Sequence, residues 1–223
     1  MNPLSVLRDS LYFFRRNLAS ITQLCLPLVV LESVCKQLVE QAVGTEASPA
    51  YGILVGLLFY PLYTAALILF LDARSQGREP QKRDLLAMAL RLWPTFALLA
   101  AMSTLLIMLG VSMFVLPGMW VMIKLVFAEY LLVLRGLTPL AAMRESFQLT
   151  QGHFWRILAC ILSVLAPLWL LDGLSLMVYP APREPLLGLL FDSVSSFLQL
   201  FTSVVLFRLF MLITEPATSS PAQ

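Results

Sequence analysis

Charge is what this 223-residue chain has least of: Asp, Glu, Lys and Arg together make up 13% of it, about half the share of an ordinary soluble domain. Hydrophobic residues make up 59%. A surface so poor in charge excludes water as the main solvent. Histidine is scarcer still, with His153 alone. One histidine excludes an H-E-x-x-H metal site and weakens any Ser–His dyad. Cysteine is limited to Cys25, Cys35 and Cys160, all inside apolar runs. Cys25 and Cys35 sit on one predicted helix, about 15 Å apart along its axis, too far for a disulfide. They read as small buried hydrophobes and say nothing about redox compartment. There is no Gly-rich phosphate loop, and no basic stripe with interleaved aromatics, so nucleic acid is not an expected partner.

What is present is a series of long uncharged runs. The stretch 51–71, YGILVGLLFYPLYTAALILFL, carries no charge at all, and roughly 20 apolar residues match the ~30 Å hydrocarbon core of a bilayer. The pattern predicts spanning helices at roughly 18–39, 51–71, 92–114, 117–135, 154–178 and 186–213. The expected fold class is therefore all-α: a polytopic membrane protein with about six transmembrane helices, residues 1–214 forming a single membrane domain. Leu116-Pro117-Gly118 reads as a tight reversal, with Pro117 suited to a helix start. The polar segment 215–223, EPATSSPAQ, reads as a disordered cytoplasmic tail. Arg15-Arg16 ahead of an apolar run resembles a signal peptide, but Glu32 and Lys36 interrupt that run and no A-x-A-like site follows. It reads as a retained first helix.

Lys and Arg near the helix ends set the expected orientation. Arg8, Arg15, Arg16, Arg74, Arg78, Lys82, Arg83, Arg91, Arg135, Arg144 and Arg156 fall on one side; Lys36 and Arg183 fall on the other. Eleven against two places the first group, and with it both termini, in the cytoplasm.

The segments before helices one, three and five share a second pattern: Leu7-Arg8-Asp9, Lys82-Arg83-Asp84 and Met143-Arg144-Glu145, each followed by apolar residues and a basic or aromatic entry into the membrane. Short amphipathic helices of this kind lie along the headgroup layer. Arg8, Arg83, Arg144, Trp93 and Trp155 are the expected lipid-headgroup contacts. Pro27-Leu28-x-x-Leu31-Glu32 and Pro167-Leu168-x-x-Leu171-Asp172 also match in the first and third units. Three copies of an interfacial helix plus a transmembrane hairpin, about 1–74, 75–136 and 137–214, would produce this. A basic-entry pattern shared by any six-helix protein would produce much of it too.

Ionisable residues inside a membrane are costly and therefore informative. Glu32 and Lys36 are four apart on one helix face and can pair. Lys124 falls roughly 10 Å into helix four, and Glu129 lies about 140° around that helix from it. Arg208, one turn from a helix end, is placed to snorkel. Helix six carries Asp192, Ser196, Gln199 and Ser203 on one stripe, with Ser195 and Thr202 alongside. Two readings stay open. In one, Glu32, Lys36, Lys124, Glu129, Asp172, Asp192 and Gln199 form an intramembrane polar site, a hydrated groove with Lys124 deepest. In the other, Ser and Thr bond their own helix and Gln199 joins helices. Lys124 is expected to face the interior and meet Glu32, Asp172, Asp192 or a water-filled cavity.

Catalysis has little support. Asp172 and Asp192 lack the G-x-G-D arrangement of intramembrane aspartyl proteases, and no metal-ligand cluster or cofactor motif is present. Pro27, Pro61, Pro94 and Pro167 fall within spans, where they kink helices and free carbonyls. Gly52-x-x-x-Gly56 favours close helix contact.

The stretch 115–158 contains Leu116-Pro117-Gly118, Gly136 with Leu140-Ala141-Ala142, and Arg144-Glu145-Ser146 through Thr150-x-Gly152-His153-Phe154-Trp155. In these residues it resembles the YciC-like family of uncharacterised bacterial inner-membrane proteins. It is also similar to the membrane domain ahead of some bacterial glycerophosphodiester phosphodiesterases. The resemblance implies a Gram-negative inner-membrane location and no activity, since the phosphodiesterase domain itself has no counterpart here. The expected function is a non-enzymatic inner-membrane role engaging membrane lipids or an envelope partner, a membrane protein or a second copy of the chain. The competing expectation is a small-solute transporter or channel using the polar stripe.

Overall fold

The computed structural model describes residues 3–43, 49–178 and 185–214. These residues form helices α1 (Pro3–Val43), α2 (Pro49–Ser75), α3 (Lys82–Met113), α4 (Val115–Leu125), α5 (Ala128–Arg135), α6 (Pro139–Leu149), α7 (Phe154–Val178) and α8 (Pro185–Thr214). The chain is an all-α polytopic membrane protein. Among the described residues four stretches are long and apolar enough to cross a bilayer: Val6–Val43, Ala50–Ser75, Lys82–Met113 and Val115–Arg135. A fifth is counted if α6 and the first half of α7, Pro139–Leu149 with Phe154–Ala166, are one bent span. Helices α7 and α8, 25 and 30 residues long, each exceed the ~20 residues a crossing needs.

The surface is inverted relative to a soluble bundle. Leu98, Leu105, Leu109, Met113, Phe114, Val115 and Leu116 are all exposed, which only a hydrocarbon solvent makes inexpensive. The interior is packed around Ile21, Leu67, Ile68, Leu71, Phe96, Leu99, Phe127, Leu131 and Leu132. Helix α1 lies between α2 and α8; α2 also packs on α3 and α5, and α3 on α4.

The repeat expected from the sequence is only partly visible. In the third unit α6 is a separate short helix, and the chain then bends by 103° into α7. Thr138 precedes α6, Pro139 opens it, and Gly152 at φ +77° takes the left-handed turn that ends it. In the first and second units the segments around Arg8 and Arg83 continue without interruption into the 41-residue α1 and the 32-residue α3. No glycine breaks the chain between Pro3 and Pro27, and the Asn17 Nδ2–H donates to the Phe13 carbonyl at 3.0 Å, keeping the turn helical. Pro27, Pro61 and Pro94 lie inside helices that continue past them. The Pro167–Asp172 half of the sequence match, the tail 215–223 and Arg183 lie outside the described residues or have side chains outside them.

Two local features depart from the expected six helices. First, the helix expected over 117–135 is interrupted at Val126–Phe127 into α4 and α5. The break is closed by Ser146 of α6, which is fully buried. Its hydroxyl donates to the Lys124 carbonyl at 2.7 Å and accepts the Phe127 N–H at 3.2 Å. Second, α3 and α4 are joined by Phe114 alone, and they touch backbone to backbone through Gly110 and Gly118. A Cβ on Gly110 would lie 2.8 Å from the Gly118 Cα; one on Gly118 would lie 2.8 Å from the Val111 nitrogen. Of the glycine pair read from the sequence, Gly52 faces open space and Gly56 stands against Glu32 of α1.

Candidate functional site

Helices α1, α2, α3, α4, α5 and α8 surround a cavity of about 710 Å³, with Leu165 of α7 on its edge. Its wall is apolar over much of its extent, but it gathers an unusual set of polar groups for a membrane bundle. Glu32 and Lys36 come from α1, Tyr60 and Tyr63 from α2, Ser103 and Thr104 from α3, Glu129 and Tyr130 from α5, and Gln199, Thr202 and Ser203 from α8.

Each polar group is held by a specific local device. On α1 the four-residue spacing brings the Lys36 Nζ to 2.6 Å from Glu32 Oε1, the distance of a charge-assisted hydrogen bond. The other carboxylate oxygen, Glu32 Oε2, is buried and makes no hydrogen bond of good geometry, although the Tyr63 hydroxyl of α2 stands beside the carboxylate; the residue is only 7% exposed. Gly56 on α2 faces this carboxylate: a Cβ there would stand 3.7 Å from Oε1. The absent side chain helps keep the cavity open beside Glu32.

Glu129 owes its place to the break in the α4–α5 span. Because α5 starts afresh at Ala128, Glu129 lies in the first turn of a helix, where unsatisfied N–H groups and the positive end of the dipole gather. The Tyr60 hydroxyl reaches it from α2, 2.8 and 3.0 Å from its two oxygens. Among the described residues no Lys, Arg or His lies within ion-pair distance of it. The neighbouring Tyr130 hydroxyl donates to the Ser203 carbonyl of α8 at 2.8 Å, so consecutive residues of α5 face α2 and α8. Thr202 Oγ1, also on the wall, is a second buried polar atom without a partner.

Of the residues singled out in the sequence, Glu32, Lys36, Glu129 and Gln199 therefore line one cavity. Lys124 does not. It is buried, 8% exposed, but its Nζ lies over the Trp120 ring, 5.7 Å from the centroid, and Trp120 packs edge-on against Phe147 of α6. No described carboxylate pairs with it. The expectation of a cation deep in the Glu32 groove is corrected accordingly. Its contact with Trp120, which itself packs on Phe147, places Lys124 on the α6 side of α4 and off the cavity wall. Asp172 and Asp192 stand on α7 and α8 with side chains outside the described residues.

The expected headgroup contacts also divide. Arg8, Arg83 and Arg144 are exposed, and Trp155 at the α6–α7 corner is 77% exposed. Trp93 is half-buried, and its Nε1–H donates to the Leu58 carbonyl of α2 at 2.8 Å, beside the weakened ladder before Pro61. Among the described residues no cluster of three or more His, Cys, Asp or Glu side chains could hold a metal ion.

Tyr60, Tyr63 and Tyr130 stand in apolar runs with no motif around them, and Ser146 stands in sequence only as part of Arg144-Glu145-Ser146. A hydroxyl on an apolar spanning run is a weak marker, since it needs a partner as any buried donor does. What it bonds is decided by another helix.

No protein-family model matches the chain, and no solved structure matches it. Over 153 residues it is 28% identical to a protein of Yersinia pestis (strain Pestoides F) and to one of Yersinia pseudotuberculosis serotype O:3, each named a UPF0259 membrane protein. The match takes in 68% of this chain and 59% of each relative, so the chain spans about three fifths of the length of the curated relatives it matches. With several apolar helices and these relatives, the chain is a multi-pass membrane protein similar to UPF0259 membrane proteins.

Proposed function

We propose that this protein holds a small polar solute within the bilayer, in the cavity between α1, α2, α3, α5 and α8, as the binding step of transport or sensing. One observation carries the reading. The cavity gathers Glu32, Lys36, Glu129 and Gln199 on one wall inside an apolar bundle, where ionisable groups are costly and mark functional sites. A volume of about 710 Å³ falls in the range of small-molecule sites, roughly 300–1,000 Å³. A merely structural polar stripe would close on itself, as Tyr130 does on Ser203. The protein is non-enzymatic in this reading, and its setting is a bacterial inner membrane with both termini in the cytoplasm and six spans. The Lys and Arg asymmetry and the resemblance to YciC-like proteins support that setting; the UPF0259 name of the relatives fits it.

A second reading, lipid engagement, has its own support. Helix α6 turns through 103° into α7 with Trp155, Leu140 and Arg144 all exposed around the corner, the composition of a helix lying in a headgroup layer. It complements the first reading and uses different residues.

The cavity reading is tested with a variant lacking the native cysteines and carrying Gln199→Cys. A small hydrophilic thiol reagent should label it in membranes far faster than the same variant with Leu99→Cys, since Leu99 is fully buried in the core. Equal, slow labelling at both positions would remove the water-accessible cavity. Reporter fusions after Gln223 and within 74–83 should score as cytoplasmic, and those near Gly44 and Ala181 as extracytoplasmic. A cytoplasmic score at Ala181 overturns the arrangement.

A further inference from the structure

We infer that the solute is an organic cation, an amine or quaternary ammonium with an apolar body of modest size. The inference rests on the solute-binding reading above and adds the chemical class. Its first support is charge. Among the described residues, the carboxyl and ammonium groups on the wall are Glu32, Glu129 and Lys36, two acids and one base. Lys36 is already committed to Glu32 at 2.6 Å, so Glu129 is the acid left without a basic partner.

The second support is where that charge stands. Glu129 receives one phenolic O–H, from Tyr60, although a carboxylate offers about four acceptor positions. Glu32 is closed off: Lys36 holds its Oε1, and its Oε2 is buried. Glu129 is therefore the carboxylate that keeps free lone pairs on the wall. A cationic N–H donor, or the positive shell of a quaternary ammonium, matches it. An anion would meet a carboxylate, and a neutral solute would leave Glu129 without a counterion.

The third support is size and lining, which separate an organic cation from a bare metal ion. A bare cation requires a tight cage of about six oxygens at 2.0–2.6 Å. The cavity of about 710 Å³ has room for roughly 20 water molecules at ~30 Å³ each. Its walls supply the rings of Tyr60, Tyr63 and Tyr130 and the aliphatic faces of Ile53, Leu57 and Ile107. Aromatic faces attract ammonium groups, by about 0.5–2 kcal/mol per ring, while the aliphatic faces take an apolar body.

The test uses the full chain in mild detergent, with thermal unfolding followed by tryptophan fluorescence. Three probes share one ring and differ in charge: benzyltrimethylammonium chloride, sodium benzoate and benzyl alcohol, each against matched sodium chloride. The cation should raise Tm by about 3 °C or more at saturation, and the other two should not. Glu129→Gln should abolish the shift, and Gly52→Ala, which faces open space, should keep it. If Glu129→Gln does not fold, Thr104→Leu fills the wall without touching the charges and should weaken binding at least tenfold. A shift with benzoate or benzyl alcohol but none with the cation overturns the cationic class and leaves solute binding standing. Silence from all three overturns both. A cation shift that survives Glu129→Gln, or Thr104→Leu where that variant is used, places the cation elsewhere and overturns the assignment.

Discussion

Replacing Ser146 by alanine removes one oxygen from a residue with no exposed surface, yet it should be among the most damaging small changes in this protein. The hydroxyl serves two backbone groups at once, the Lys124 carbonyl at 2.7 Å and the Phe127 N–H at 3.2 Å. Both sit where the helical ladder between α4 and α5 is interrupted. Interhelical hydrogen bonds in membranes average about 0.6 kcal/mol, so two ordinary ones would contribute about 1.2 kcal/mol. The orphaned groups raise that figure, because each buried unsatisfied donor or acceptor costs about 1–3 kcal/mol. We expect Ser146→Ala to cost about 2–4 kcal/mol of unfolding free energy, measured by equilibrium unfolding in mixed micelles of dodecyl sulfate and mild detergent. Ser163→Ala is the control: its hydroxyl bonds the Ala159 carbonyl of its own helix from an exposed position, and its loss should stay within about 0.5 kcal/mol. If Ser146→Ala behaves like Ser163→Ala, the break is not stabilised by this clamp and the reasoning fails.

Gly118→Ala should destabilise by about 1–3 kcal/mol, since its Cβ would meet the Val111 backbone. Gly52→Ala should be neutral or stabilising by up to about 1 kcal/mol; a reversed order in the same unfolding assay would refute the backbone contact. Lys124→Met should hold or raise Tm, because the buried ammonium gives up a cation–π contact with Trp120 worth about 0.5–2 kcal/mol together with its own desolvation cost. A collapse of expression for that variant would reveal a carboxylate partner. Tyr60→Phe should leave the fold in place and lower the affinity of any cavity ligand by several-fold, read by titration of the Tm shift, because Glu129 then loses the hydroxyl that orients it.

Features that depend on one helix were legible in the sequence; those that depend on two were not. Hydropathy alone located α2 and the spanning part of α3, and the four-residue spacing of Glu32 and Lys36 sufficed to pair them. The break at Val126–Phe127 left no trace, since Leu125-Val126-Phe127-Ala128 reads as continuous apolar helix. The backbone groups at the break are taken up by a serine 19 residues beyond Phe127. Glu129 was recognisable as costly, but its partner Tyr60 is 69 residues away. Lys124 shows the same limit from the other side. Depth and angle established that it needed shelter, and only the packing of α6 against α4 shows that Trp120 provides it. Gly118 was legible as part of a reversal at Leu116-Pro117-Gly118, but the turn lies at Phe114, and its contact with Gly110 spans a hairpin, whereas a small-xxx-small pattern runs along one helix.

The α3–α4 hairpin turns at a single residue, Phe114, 76% exposed between Met113 and Val115. From Leu92 to Ile123 the chain contains no Asp, Glu, Lys, Arg or His. A newly made hairpin of this kind can enter a membrane as one electrically neutral wedge, tip first. Its crossing drags no ion through hydrocarbon, a step that costs several kcal/mol per charge. Its insertion should therefore respond little to the membrane potential. The middle of this protein thus meets a low electrostatic barrier to entering the bilayer, and α2 has α3 to pack against.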